Sequence, residues 1–419
     1  MSTAREVEDL LREDAPRVLA ALVRRYGQFD ACEDAVQDAL LAAYRQWPDD
    51  GVPQRPRAWL TMVAARALID GWRADSARRR REARAALDPA ARTPTSDTDE
   101  PGDTDDTLTL LFLCCHPALS PPAQLALTLR AVGGLTTAQI AAGFLVPEAT
   151  IAKRISRAKE RIRAAGARFE PPDPAQRDDR LGVVRHVLYL MFTEGHTASA
   201  GPLLHRVDLT TEAIRLTRLL HGLLPGDTET AGLLALMLLT DARRAARTDP
   251  DGSIVPLADQ DRTRWDTTRI DEGQALLTHT LGTGPVGQYQ LQAAIAALHD
   301  EAPTADRTDW PQILAIYDVL TQVASGPMVT LSRAVAVAMV HGPTAGLALL
   351  GTLDAADRAA QGHRLDAVRA HLLEQAGDLD SARAAYLRAA RATASQPEQR
   401  YLHRKAAGLT TLGAREGRP

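Results

Sequence analysis

Thr136-Thr-Ala-Gln-Ile-Ala-Ala-Gly-Phe-Leu-Val-Pro-Glu-Ala-Thr-Ile-Ala-Lys-Arg-Ile-Ser-Arg-Ala-Lys-Glu-Arg-Ile-Arg-Ala-Ala165 is the stretch on which the reading of this chain turns. Thr136 or Thr137 can cap a short helix through Ile140 and Phe144, Leu145-Val146 turns the chain, and Pro147-Glu148 opens a second helix that runs to about Ala165. In that second helix Ile151, Ile155 and Ile162, helped by Ala158, fall on one apolar stripe, while Lys153, Arg154, Arg157, Lys159 and Arg161 take the rest of the surface. This is a helix-turn-helix signature with a basic second helix. The first residues of such a helix are the ones that reach base edges in a major groove, which makes Glu148, Thr150, Lys153 and Arg154 the candidate readers and Arg157 a phosphate anchor. An arginine can bind guanine through two hydrogen bonds, and a glutamate can accept one from cytosine.

Upstream, Ser120-Pro-Pro-Ala-Gln-Leu begins another helix that Gly133-Gly134 closes. Before it, Leu111-Phe-Leu-Cys-Cys-His-Pro117 invites a metal reading, but a structural zinc site needs about four ligands and no second Cys or His cluster completes one; the segment reads as a packed apolar helix with no metal. Residues 85–106 are rich in Asp, Pro, Thr and Gly and nearly without large apolar side chains, the composition of a flexible acidic linker. On its far side the chain is basic from Arg55 to Arg84, ending in Arg78, Arg79, Arg80 and Arg81. The net charge of -4 therefore hides a segregation of charge along the chain, which is what phosphate binding requires. Further back, Leu19, Leu22 and Val23 share a helix face, the run breaks at Gly27 to Asp30, and Val36, Leu40 and Tyr44 recur four apart. Pro48 to Gly51 ends that helix, and another begins near Pro56 and passes through Trp59, Val63, Leu68 and Trp72.

Asp34-Ala-Val-Gln-Asp-Ala-Leu-Leu-Ala-Ala-Tyr-Arg, then Pro56-Arg-Ala-Trp-Leu, then Ala65-Arg-Ala-Leu-Ile-Asp-Gly-Trp-Arg73 resemble region 2 of sigma factors of the extracytoplasmic-function type. Ser120-Pro-Pro-Ala-Gln-Leu through Lys153-Arg-Ile-Ser-Arg-Ala-Lys-Glu-Arg-Ile162 resembles their region 4, and the Leu111 to Pro117 segment is typical of a subgroup with a long C-terminal extension. The resemblance implies that Asp34, Gln37, Asp38 and Leu41 dock on the beta-prime clamp of core RNA polymerase, with the beta flap as a further contact. It implies that Arg57, Trp59, Arg66, Arg73 and Arg78 to Arg81 serve the minus-10 element and its melted strand, and that the helix-turn-helix reads the minus-35 element in duplex DNA. Trp59 fits a core position as well as a platform for an unstacked base. Arg66 stands where many relatives carry Asn, and Leu145 where many carry Gly.

After Pro171-Pro-Asp-Pro174 a long remainder follows, more than promoter reading needs. Val183 to Phe192 and Leu233 to Leu239 are apolar helical runs. The charged stretches Asp241-Ala-Arg-Arg and Asp259-Gln-Asp-Arg-Thr-Arg-Trp-Asp266, with Trp265 and Trp310, could shape a small-molecule pocket, a partner surface or a salt-bridged structural connection. Leu365 to Gln375, a turn at Ala376-Gly-Asp-Leu, and Ala382 to Ala392 with Tyr386 and Ala389 resemble a tetratricopeptide hairpin, with a degenerate earlier copy from Ala334 to Leu353. Such hairpins commonly build binding surfaces for a protein or small-molecule partner.

The expected architecture is all-α, with region 2 over 8–84, the linker over 85–106, region 4 over 107–170, and a helical extension over 178–412 that is tetratricopeptide-like from about 310. Hydrophobic residues at 45% and aromatics at 4% favour helices over strands. No apolar run approaches the roughly 20 residues of a membrane span, and the reading is cytoplasmic. Three cysteines, Cys32, Cys114 and Cys115, make no disulfide framework. Phosphate-binding and hydrolase motifs are absent, so the expectation is a non-enzymatic factor without a cofactor. The rival from another class is a helix-turn-helix repressor or activator whose extension binds a ligand or dimerises; a third reading makes the extension a scaffold for another protein.

Overall fold

The computed structural model describes residues 4–83, 106–144, 146–280, 282–324, 326–353 and 362–416. Apart from one pairing of two short strands and an isolated bridge between Thr248 and Ile254, the described residues are helices and their connections, as the composition predicts. They divide into two units, Met1–Val187 and Leu188–Pro419.

The first unit begins with three packed helices, α1 (Ala4–Tyr26), α2 (Phe29–Asp50) and α3 (Pro56–Ala83). The turn between α1 and α2 is made by Gly27 and Gln28, both at positive φ. The core combines Leu19, Leu22 and Val23 from α1 with Cys32, Val36, Ala39, Ala43 and Trp47 from α2 and Leu60, Ala64 and Leu68 from α3. Tyr44, expected on that face, is 56% exposed. The reason is geometric, since two steps of four residues rotate a side chain roughly 80° around a helix, and small residues at Ala39 and Ala43 continue the buried stripe instead.

Then come α4 (Thr107–Cys114), α5 (Pro121–Ala131), α6 (Thr137–Phe144) and α7 (Glu148–Ala164). α4 packs on both α1 and α5, which explains why Leu110, Leu111, Phe112, Leu113 and Cys114 are apolar all round and all buried. Cys115 is buried beside the Thr128 hydroxyl at 3.6 Å, and burial pushes its thiol up to about 12, so this cysteine is a packing group. Among the described residues no group of three His, Cys, Asp or Glu is placed to hold a metal ion, and no helix is long and apolar enough to cross a membrane. The division between the units falls inside α8 (Arg177–His196). Arg180 on its first turns donates to the Phe112 carbonyl at 2.5 Å, tying that end of α8 to the first unit.

In the second unit each helix packs on its successor: α9 (Val207–Leu223), α10 (Thr228–Ala242), α11 (Thr267–Thr280), α12 (Gln288–Glu301), α13 (Trp310–Val323), α14 (Pro327–His341), α15 (Pro343–Gly351), α16 (His363–Gln375), α17 (Leu379–Ala392) and α18 (Gln396–Glu416). Gly346 lets α15 approach α14, where an added Cβ would lie 2.6 Å from the Ala334 carbonyl oxygen. Gly377, at φ 82, makes the turn from α16 to α17, and Tyr386, Ala389 and Ala390 then pack against Leu402 and Ala406 of α18. β1 (Ala200–Gly201) pairs in parallel with β2 (Ala394–Ser395), Ala200 opposite Ala394, so the end of this unit returns to its beginning.

The charged stretches form a structural knot. Arg262 donates to the His299 carbonyl at 2.7 Å and stacks over Trp265 at 4.4 Å, Arg243 faces the buried Asp300 at 3.5 Å, and Arg244 and Arg269 converge on the buried Asp241. Glu194 accepts from the backbone and hydroxyl of Ser199, both at 3.1 Å, a packing role. Close by, burial and then the Arg247 cation drive His196 well below the ordinary histidine range and His205 down to about 4. Both are held neutral when folded, whereas unfolded histidines take up protons below about 6.5. Their contribution is complete above that pH and is lost as pH falls toward about 4. Asp300, pushed up to about 6 by burial, acts in the opposite sense, and His299, pushed down to about 4 by burial, offsets it. Calorimetry of the full chain is expected to show the transition of the second unit moving to lower temperature between pH 7 and pH 5; a transition that stays or rises disproves the assignment.

Candidate nucleic-acid interface

The helix-turn-helix is set by its caps. Thr136 and Gln139 bond reciprocally, Gln139 N to the Thr136 hydroxyl at 3.1 Å and Thr136 N to the Gln139 side-chain oxygen at 2.8 Å, a capping box that starts α6. Ile151, Ile155, Ala158 and Ile162 are buried along α7. That fixes the rotation of α7, leaving Glu148, Thr150, Lys153 and Arg157 exposed and Arg154 half-buried. Of the four candidate readers, Thr150, Lys153 and Arg154 share with the anchor Arg157 the flank opposite the isoleucine stripe, and Glu148 sits exposed at the helix start. Leu145 lies outside the described residues.

On α2, Asp34, Asp38 and Leu41 are exposed and Gln37 is half-buried. Their spacing of three or four residues places them on one stripe, to which Tyr44 adds a second exposed apolar group beside Leu41 at 48% exposure. On α3, Met62, Arg66 and Arg73 are exposed along another stripe, Met62 at 62%, with Arg73 3.5 Å from Asp70. Arg57 pairs with the buried Asp14 at 3.1 Å, so it already has a partner in the fold. Trp59 is half-buried and meets buried Trp47 edge to face with ring centres 5.4 Å apart, so part of its ring serves the core. Arg78, Arg79, Arg80 and Arg81 lie on the last turns of α3, and their side chains, like linker residues 84–105, are outside the described residues.

One cluster joins the two faces. Glu33, 1% exposed on α2, accepts from Arg130 Nε of α5 at 2.7 Å and from Lys159 Nζ of α7 at 2.6 Å. Lys159 also reaches Asp34 at 3.1 Å, and Arg163 at the end of α7 pairs with Asp30. Lys159, expected on the open surface of α7, is instead turned onto α2. Arg24 pairs with Asp106 at 2.8 Å. The cluster is built across long sequence separations, but one sign of it is local: Glu33 sits among Cys32, Ala35 and Val36 on the buried face, where a charge requires a partner.

Residues 10–79 match sigma-70 region 2, residues 109–162 match sigma-70 region 4, and residues 180–281 match a family of unknown function, DUF6596. An uncharacterized protein of Rhizobium meliloti (strain 1021) is 41% identical over 390 residues, covering 92% of this chain and 92% of that protein. No solved structure matches the chain.

Proposed function

The chain belongs to the sigma-70 family, as an extracytoplasmic-function type factor with a C-terminal extension that acts with core RNA polymerase and promoter DNA, and from that premise we propose how its parts divide the work. The stripe of Asp34, Gln37, Asp38 and Leu41 docks on the beta-prime clamp. The α3 face with Arg66 and Arg73, and Trp59 at its start, handles the minus-10 element, with the arginine block at the end of α3 tracking phosphates. Glu148, Thr150, Lys153 and Arg154 read the minus-35 element, Arg157 anchors phosphate, and the region 4 module meets the beta flap.

The Glu33 cluster is the observation that carries the mechanism. Elements centred on minus-10 and minus-35 are about 25 base pairs apart, roughly 85 Å along the duplex. α7 cannot read one element while Lys159 touches Asp34 on the module that opens the other. The described arrangement is therefore a closed state, and docking on core requires the Arg130 and Lys159 contacts to Glu33 to part. The extension sets the balance between closed and open states, through a ligand or partner of its helical hairpins, which we read as tetratricopeptide-like.

In vitro transcription with core polymerase lacking other sigma factors tests this reading. Specific start sites are expected only when the protein is present. A chain ending after His196, which keeps Arg180 on the Phe112 carbonyl, is expected to change the yield from those sites. Binding to duplex DNA without any open promoter rejects the sigma assignment; unchanged yield and control after truncation reject control by the extension.

A further inference from the structure

A cavity of about 400 Å3 lies inside the second unit, where the β1–β2 pairing brings the beginning of the extension against its last helices. This is within the size range of small-molecule sites. Its apolar wall is built by Leu204, Ile254, Leu331, Val335, Val368 and Leu402, contributed by segments far apart in sequence. Its polar wall holds Arg247, His363, Arg364 and Glu398.

The charges on that wall do not balance. Glu398 is already engaged, accepting from the Thr393 hydroxyl at 2.6 Å and lying 3.1 Å from His363 Nε2. Arg247 gives its hydrogen bonds to neutral acceptors, the His196 carbonyl at 2.5 Å and the Thr197 hydroxyl at 2.9 Å. Burial, and then nearby Arg243, pushes the Arg247 guanidinium down to about 9, with Glu398 only partly opposing the shift. Arg364 is exposed; its charge acts on Glu398, but among the described residues no carboxylate lies within ion-pair distance of it. Two guanidiniums thus face a mainly apolar cavity whose one carboxylate is occupied. Guanidinium pairs of this kind suit a carboxylate, which each can grip through two hydrogen bonds.

We propose that this cavity binds a small amphipathic monocarboxylate, its apolar body among Leu331, Val335 and Leu402 and its carboxylate between Arg247 and Arg364. The claim concerns binding and stands apart from the sigma reading; that occupancy feeds the closed–open balance rests on that reading.

Isothermal titration of the full chain with octanoate and 2-naphthoate, and with 1-octanol and octylamine as neutral and cationic counterparts, tests it. At least one carboxylate is expected to bind at one site per chain, at least tenfold more tightly than 1-octanol, with octylamine weaker still. Arg364→Gln is expected to weaken the carboxylate at least tenfold and leave 1-octanol unchanged, while Val335→Trp removes both by filling the cavity. Thermal melting of both variants checks that they remain folded. Absence of carboxylate binding, equal binding of the neutral and anionic ligands, or an Arg364→Gln variant that binds carboxylate like the parent overturns the proposal. Failure here with promoter-specific transcription intact leaves the sigma assignment standing, and the reverse outcome leaves the pocket standing.

Discussion

Lys159→Glu is expected to raise the affinity of the chain for core RNA polymerase by at least tenfold and by up to roughly 150-fold. In the closed state the substitution sets a carboxylate against Glu33 and Asp34, in a site where Glu33 is 1% exposed. Losing one partner of a buried ion pair costs about 3 kcal/mol or more, which at room temperature is a factor of roughly 150 between closed and open states. Open chains lose nothing, because Glu33 and the new carboxylate are then solvated. Apparent affinity is the intrinsic affinity multiplied by the open fraction, so the gain is bounded by how scarce that fraction is in the parent. Lys153→Glu supplies the control: it makes the same change of charge on the same helix, but on the exposed flank of α7, and core affinity should stay as in the parent. Competition binding against fluorescent core measures both variants. Equal affinity of Lys159→Glu and parent would show that the Glu33 cluster does not hold the closed state under solution conditions.

Much of this molecule was legible in the sequence because its signals are local. The apolar stripe of α7 predicts which residues turn inward, and the inward turn of Ile151, Ile155 and Ile162 is what leaves Thr150, Lys153 and Arg157 outward. Pro56, Pro121 and Pro147 mark the helix starts because a missing N–H costs nothing there. What the sequence does not carry is pairing across distance. The bond from Lys159 to Glu33 spans 126 positions, and although the periodicity of α7 sets Lys159 at the edge of the apolar stripe, four residues after Ile155, nothing local names its partner. The return of β2 onto β1 is equally silent, since two residues leave no alternation to read. The charged stretches around Asp241 and Asp259 to Asp266 left three readings open, and only the placement of Arg262 on the His299 carbonyl and over Trp265 decides for a structural knot. The cavity beyond Arg247 shares this limit, as its walls come from residues as distant as Thr197 and Leu402.

The second large effect concerns the α2 stripe itself, where Asp34 plays two parts. It belongs to the stripe proposed to dock on core polymerase, and it also holds Lys159. Asp34→Ala should therefore lower intrinsic core affinity and raise the open fraction together, and its net effect is small for a physical reason rather than for lack of a role. Asp38 and Leu41 are free of that compensation: both are exposed, and neither takes part in the Glu33 cluster. Asp38→Arg with Leu41→Ala is expected to reduce promoter-specific transcription at least 100-fold, since reversing a charge and removing the apolar anchor of one docking stripe costs about 3 kcal/mol or more of interface energy. Duplex binding through α7 should persist, because the four candidate readers and the anchor Arg157 lie on a different element. Run-off transcription and a DNA mobility shift on the same preparation separate the two activities. A variant that keeps transcription would remove α2 from the polymerase interface. If DNA binding fails along with transcription while the melting temperature holds, the two modules are coupled more tightly than a closed–open balance allows, and the Glu33 cluster would have to persist on the promoter.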